Sequence, residues 1–167
     1  MRYRILCVCV FALMVATTSA QTKNSISGKC AKPAIQQSVP AGDQPGHIFT
    51  LAQGKCVSKG EVAGAMSKEG AFAEHGDVMG NRLRNSGVYL ETYDSGDKVF
   101  YTYQTTGTTK DGAFQAGQNT YRITGGTGKM KGMKGSGACK LTAAADGGIN
   151  YSCSGEYTLA GAAPAKQ

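Results

Sequence analysis

Residues 149–159 read INYSCSGEYTL. Ile149, Tyr151, Cys153, Gly155, Tyr157 and Leu159 share one parity, and Asn150, Ser152, Ser154, Glu156 and Thr158 the other. A strict period of two with one polar face describes a half-buried β-strand. Just upstream, ACKLTAA (138–144) runs into the turn signal Asp146-Gly147-Gly148, so the two segments read as a hairpin. Pairing residues whose numbers sum to 292 sets Cys139 opposite Cys153 and Leu141 opposite Tyr151. Directly opposed residues of an antiparallel pair bring their Cβ atoms within disulfide reach. A Cys139–Cys153 bridge is therefore predicted.

The 167-residue chain carries six cysteines. Cys7 and Cys9 fall in a leader with the marks of a secretory signal: Arg2 and Arg4, an apolar run from Ile5 to Ala16, and a small-residue cleavage site at Thr18-Ser19-Ala20. That run is short for a membrane span, so no integral membrane anchor is expected. The four cysteines left are an even set in an exported chain and read as two disulfides rather than a zinc site, because no pair has close Cys-x-x-Cys spacing. By subtraction the second bridge is Cys30–Cys56. Of 18 basic residues two leave with the signal, giving 16 against 11 acidic ones. The lysines are scattered, which disfavours a nucleic-acid or membrane surface. The expected division is 1–20 signal peptide, 21–46 extended leader, 47–160 one β-domain and 161–167 flexible tail, the mature protein being periplasmic or secreted after cleavage near Ala20.

Pro33, Pro40 and Pro45 lie in the leader and Pro164 in the tail, with none between Gly46 and Ala163. A long proline-free block punctuated by glycines suits successive strands and turns. Strands are expected in HIFTLAQGKCV from His47, in AFAEHGDVM and in NTYRIT, and one helical turn within Glu61–Met66. A second hairpin, SGVYLETYDSGDKVFYTYQTT (86–106), turns at Asp94-Ser95-Gly96-Asp97. Pairing by a sum of 191 sets Val88 opposite Tyr103, Leu90 opposite Tyr101 and Thr92 opposite Val99. Val88, Leu90 and Val99 then make the better core face, and Tyr89, Glu91, Tyr93, Phe100 and Gln104 share the other. Six to eight antiparallel strands fit a small closed barrel or a sandwich. The absence of Trp and the need to remove open edges favour the barrel.

The stretch YRITGGTGKMKGMKGSGACK (121–140) invites a phosphate-loop reading. That motif needs a glycine five residues before Gly128, where Ile123 stands, a hydroxyl after Lys129, where Met130 stands, and a following helix. Lys129, Lys131, Lys134 and Lys140 beside Tyr121 resemble a single-strand-binding rim, but their alternation with Met130 and Met133 is simpler as a solvated edge over buried methionines. The glycines mark a barrel corner. ITGGTGKMKGMKGSG resembles the Gly-Gly-[Thr/Ser]-Gly segment of the allene oxide cyclase and dirigent barrel superfamily. The stretch from PGHIFTLAQGKC to GEYTL, residues 45–159, is similar to small exported bacterial proteins of unknown role. The resemblance implies an all-β fold, an antiparallel barrel of about eight strands, homo-oligomeric in many members, with a cavity for an apolar substrate. It marks fold rather than activity.

Candidate chemistry is sparse. His47 and His75 are the two histidines, and neither has a nucleophile at a recognisable spacing. Glu74-His75-Gly76-Asp77 has metal-capable side chains, but neighbours on a strand alternate faces and cannot converge, so it reads as a polar turn and no metal site is assigned. Glu91 is flanked by Tyr89 and Tyr93, with Phe100, Gln104 and Arg122 as candidate neighbours in a binding site. On a cavity wall it would titrate high and act as acid or base; on the outside it would be an ordinary surface acid, the reading the core pattern favours. Asn150-Tyr151-Ser152 fits a glycosylation sequon and is treated as chance. The expected role is a non-enzymatic binder of a small apolar ligand or a stable envelope component, without cofactor or nucleic acid. A cyclase or isomerase with a barrel cavity is one alternative, and a module presenting Tyr89, Tyr93 and Phe100 to a partner protein is another.

Overall fold

The computed structural model describes residues 21–160; the segments read as signal and tail lie outside them. Ten strands follow in order: β1 Thr22–Cys30, β2 Ile35–Pro40, β3 His47–Lys59, β4 Glu61–Val62, β5 Ala65–Met79, β6 Arg82–Tyr93, β7 Lys98–Lys110, β8 Ala113–Gly126, β9 Lys134–Ala143 and β10 Ile149–Thr158. From β5 to β10 each strand pairs antiparallel with the next. β10 then pairs with β1, β1 with β3, and β3 with β5, which closes an eight-stranded barrel. β2 lies beside β1 along the same edge of β3, outside the closed ring. The leader whose packing the sequence leaves open thus contributes both strands.

Both predicted disulfides are present, Cys30–Cys56 and Cys139–Cys153. Each joins directly opposed residues of neighbouring strands, and β9 and β10 pair in the predicted register with Leu141 facing Tyr151.

The β6–β7 register differs from expectation by one. Leu90 faces Phe100 and Glu91 faces Val99, so the pairs sum to 190. The cause is the turn: Tyr93 donates its amide to Asp97 O at 2.9 Å, leaving a three-residue loop closed by Gly96 at φ +83°. Such loops use glycine in the left-handed region at that position. A one-residue slip turns a strand's other face inward. Val99, Tyr101 and Tyr103 of β7 face inward as expected, but on β6 the interior face is Tyr89, Glu91 and Tyr93, while Val88 is 55% exposed. The expected core face of β6 is therefore the outer one. Residues 61–66 also differ from the predicted helical turn. Ala63 and Gly64, both at positive φ, form a two-residue hairpin between β4 and β5, the backbone of a type I′ turn.

One end of the barrel is plugged. The glycine-rich link between β8 and β9 makes a short 3-10 turn, Gly128–Met130, that drops Met130 and Met133 into the opening beside Val62, Ala65, Tyr93, Val99, Ile123 and Tyr157. Lys129, Lys131 and Lys134 stay exposed around it. Beyond the plug the interior is built from tyrosine and glycine. All seven tyrosines among the described residues turn inward, and Tyr89, Tyr103, Tyr121 and Tyr151 lie over glycines whose missing side chains make the room. A Cβ at Gly70 would overlap Tyr89, and one at Gly137 would overlap Tyr121. Alternating large and small side chains is how a narrow barrel fills its bore.

Candidate functional site

The bore is not completely filled. A cavity of about 150 Å³ lies between the plug and the far end, lined by rings of Tyr89, Tyr101, Tyr103, Tyr121, Tyr151 and Phe72, by Glu74 and Glu91, and by both disulfides. That is about the size of a hole that admits one benzene. Tyr101 stands edge-on between Tyr89 and Tyr121, with ring centroids 5.8 and 5.7 Å apart. This T-shaped arrangement is the one that aromatic quadrupoles prefer.

Glu91 is 2% exposed. Its Oε2 accepts hydrogen bonds from Ser58 Oγ at 2.8 Å and from Tyr89 Oη at 2.5 Å. Ser58 Oγ also lies 2.6 Å from Tyr151 Oη. The second carboxylate oxygen, Oε1, is buried without a partner. Burial pushes the Glu91 carboxyl above the usual glutamate range, against the opposing hydroxyls of Tyr89, Ser58 and Ser67. The Tyr89 phenol is pushed up by burial and then by the neighbouring Glu91 charge, and the Tyr151 phenol by burial. Glu74 forms a second, looser station, accepting from Tyr103 Oη at 2.7 Å and Asn85 Nδ2 at 2.9 Å, and burial raises it too.

Of the six ligand-site residues expected from sequence, the structure brings Tyr89 and Glu91 to the cavity. Tyr93 is inside but belongs to the plug, its hydroxyl 3.4 Å from Tyr101 Oη and its phenol pushed up to about 12 by burial. Phe100, Gln104 and Arg122 lie on the outer wall, Phe100 39% exposed. Gln104 and Arg122 line an external groove of about 1160 Å³. The reading of Glu91 as a surface acid is corrected by its burial, and an outward patch of Tyr89, Tyr93 and Phe100 does not exist, because the slipped register turns both tyrosines inward. The metal-capable run 74–77 is the middle of β5 rather than a turn, with Glu74 inward and His75 outward. His47 is held by Asp43, its Nδ1 2.7 Å from Oδ1, and its Nε2 lies 3.2 Å from Asp77 off the line of a hydrogen bond. The hydrogen bond to Asp43 raises this imidazole above its ordinary value.

Sequence reasoning named Glu74 and Tyr121 for other chemistry and missed Ser58, Tyr101, Tyr103 and Tyr151 as cavity residues. The available signal was the shared parity of the tyrosines with the apolar positions of their own strands.

No family model matches the sequence, and no curated protein matches it. Among solved structures, the chain is similar to the pterocarpan synthase dirigent protein GePTS1 at 10% sequence identity and a TM-score of 0.47, over 93% of this chain and 97% of that one. The topology itself is that of a closed, eight-stranded antiparallel barrel stapled by two disulfides.

Proposed function

We propose that the protein is an exported barrel that holds one small, largely apolar molecule in its bore without altering it covalently. The observation that carries this is the tyrosine-lined cavity with a buried, unpartnered carboxylate oxygen on its wall. A bore built only for stability gains nothing from that oxygen, because an unsatisfied buried acceptor costs about 1–3 kcal/mol. Cross-strand disulfides accord with an oxidising compartment outside the cytosol. Ring-sized guests fit the volume, and the aromatic wall supplies contact at little entropic cost.

The test is native mass spectrometry of the protein recovered from its exporting host, beside a Leu141→Phe variant that places a ring in the cavity Leu141 lines. A retained small-molecule mass in the parent that is lost from the folded variant is the expected result. If a panel of ring-sized neutral and charged probes all leave the parent unbound while Leu141→Phe melts higher, the cavity is a packing void and the reading falls.

One observation favours an isomerase or cyclase as a second reading. The raised Glu91 carboxyl, held in place by the hydroxyls of Ser58 and Tyr89, is a proton donor of the kind such chemistry uses. Turnover that disappears in Glu91→Gln while the guest still binds would select it.

A further inference from the structure

We infer that the guest is a small organic cation, an alkylated ammonium group held by the tyrosine rings against Glu91. This rests on reading the bore as a ligand site and specifies the chemistry that site selects.

Proton counting comes first. Ser58 owns one hydroxyl proton, given to Glu91 Oε2. Its 2.6 Å contact with Tyr151 therefore has the phenol as donor. Tyr89 gives its own proton to the same Oε2, so its 3.2 Å approach to Ser58 adds no further donor. Tyr103 gives its proton to Glu74 Oε2. Ser58 and Tyr89 thus spend their protons on one oxygen, while Oε1 makes no hydrogen bond and the remaining hydroxyl against Glu91, Ser67 Oγ, is likewise buried without a partner. With the Tyr89 and Tyr103 hydroxyls on carboxyls, that of Tyr151 on Ser58 and that of Tyr101 towards Tyr93, these tyrosines leave ring surface for a guest.

The charge inventory points the same way. The cavity lining holds two carboxyls and no lysine, arginine or histidine among the described residues. A carboxylate this deep needs a countercharge or it neutralises by taking up a proton. Aromatic faces carry negative potential and attract cations, most strongly where water is excluded. Five tyrosines, a phenylalanine and an unpaired acid therefore form a cation cage supplied with no cation of its own. A bare metal ion fits poorly, because no three His, Cys, Asp or Glu side chains converge among the described residues. A neutral alcohol can only hydrogen-bond the protonated acid, whereas a cation also pairs with its charged form. The volume suits a trimethylammonium-sized head.

Uptake should release a proton and tighten as pH rises. Burial raises both Glu91 and Glu74, so a cation that ionises either must expel its proton. The titratable groups facing Glu91 are Tyr89, Tyr93, Tyr101 and Tyr151, all pushed up and neutral across the working range. Ser58 and Ser67 complete its surroundings. Tyr103, Asn85 and His75 surround Glu74.

Calorimetric titration should compare choline with 3,3-dimethylbutan-1-ol, its uncharged carbon isostere, in mildly acidic and mildly alkaline buffer. Choline is expected to bind at least about tenfold more tightly, a gap of about 1.4 kcal/mol. The gap should widen at the higher pH and shrink in Glu91→Gln. Equal or tighter binding of the alcohol overturns the cation assignment and leaves a ligand-binding bore intact. Binding of neither overturns this inference and, with the wider panel above also silent, the reading beneath it. The comparison on the parent chain stands even if the variant does not fold.

Discussion

Glu91 is a carboxyl held almost wholly out of water, with one oxygen unpartnered. Its folded-state pKa lies above the unfolded one, so the native state binds more protons once pH passes the ordinary glutamate value, and stability then falls with rising pH. The contribution is complete below the ordinary value and lost as pH climbs through the raised one, at about 1.4 kcal/mol per unit of elevation. Glu74 adds a loss of the same sign, so the two are separated by substitution. Glu91→Gln keeps the shape and removes the ionisation. Its melting temperature should match the parent in acid and exceed it at alkaline pH, with the difference growing as pH climbs above the ordinary glutamate range. A constant offset across pH would mean that Glu91 titrates as an exposed acid. The sequence allowed Glu91 to be named as a candidate from its tyrosine neighbours, but not its burial. Its partner Ser58 comes from β3, where no local pattern marks it, and Tyr151, which bonds Ser58 from behind, comes from β10.

At the level of strands, two hairpins show why one register was legible and the other was not. In β9–β10 the cysteines and the Gly-Gly turn leave one alignment that puts every large apolar side chain on one face. In β6–β7 both parities of β6 are apolar, Val88 and Leu90 on one and Tyr89 and Tyr93 on the other, and hydropathy cannot rank an aliphatic face against a tyrosine face that a glycine-lined bore accepts. The choice then falls to loop length, three residues against four. The closing ladder is the weakest seam of the ring. β1 meets β3 over four pairs, Ser27–Cys30 against Cys56–Lys59, but meets β10 over nine. Cys30–Cys56 clasps the end of that short ladder. Replacing both cysteines by alanine should cost about 3–4 kcal/mol on loop-entropy grounds, the bridge spanning 26 residues. Amides at 27–30 and 56–59 should then exchange first. The same change at Cys139 and Cys153, inside a ten-pair ladder, should leave those amides protected. Equal exposure of the seam in both variants would show that the clasp is not what holds it.

Across the whole molecule, the barrel is complete only because the N-terminal segment returns to the C-terminal one. Without β1, both β10 and β3 would present open edges, which invite pairing with other chains. Sequence reading set this segment apart as a leader on its prolines, and β1 has little apolar stripe to show otherwise: Lys23, Ser25, Ser27 and Lys29 face out, and of the inward positions Asn24, Ile26, Gly28 and Cys30, only Ile26 is a large apolar residue. A strand that lies over a narrow, tyrosine-filled bore needs small inward residues, so the feature that hides it is the one that lets it fit. Ile26 stands against Cys153, lines the cavity and packs on the plugged core. Val39 of β2 belongs to the same former leader but is 62% exposed on a strand outside the ring. Ile26→Ala should therefore lower stability by about 2 kcal/mol or more, and Val39→Ala by no more than about 0.5 kcal/mol, read from urea unfolding midpoints at unchanged slope. If the two substitutions cost the same, β1 is a peripheral strap and the ring must close elsewhere.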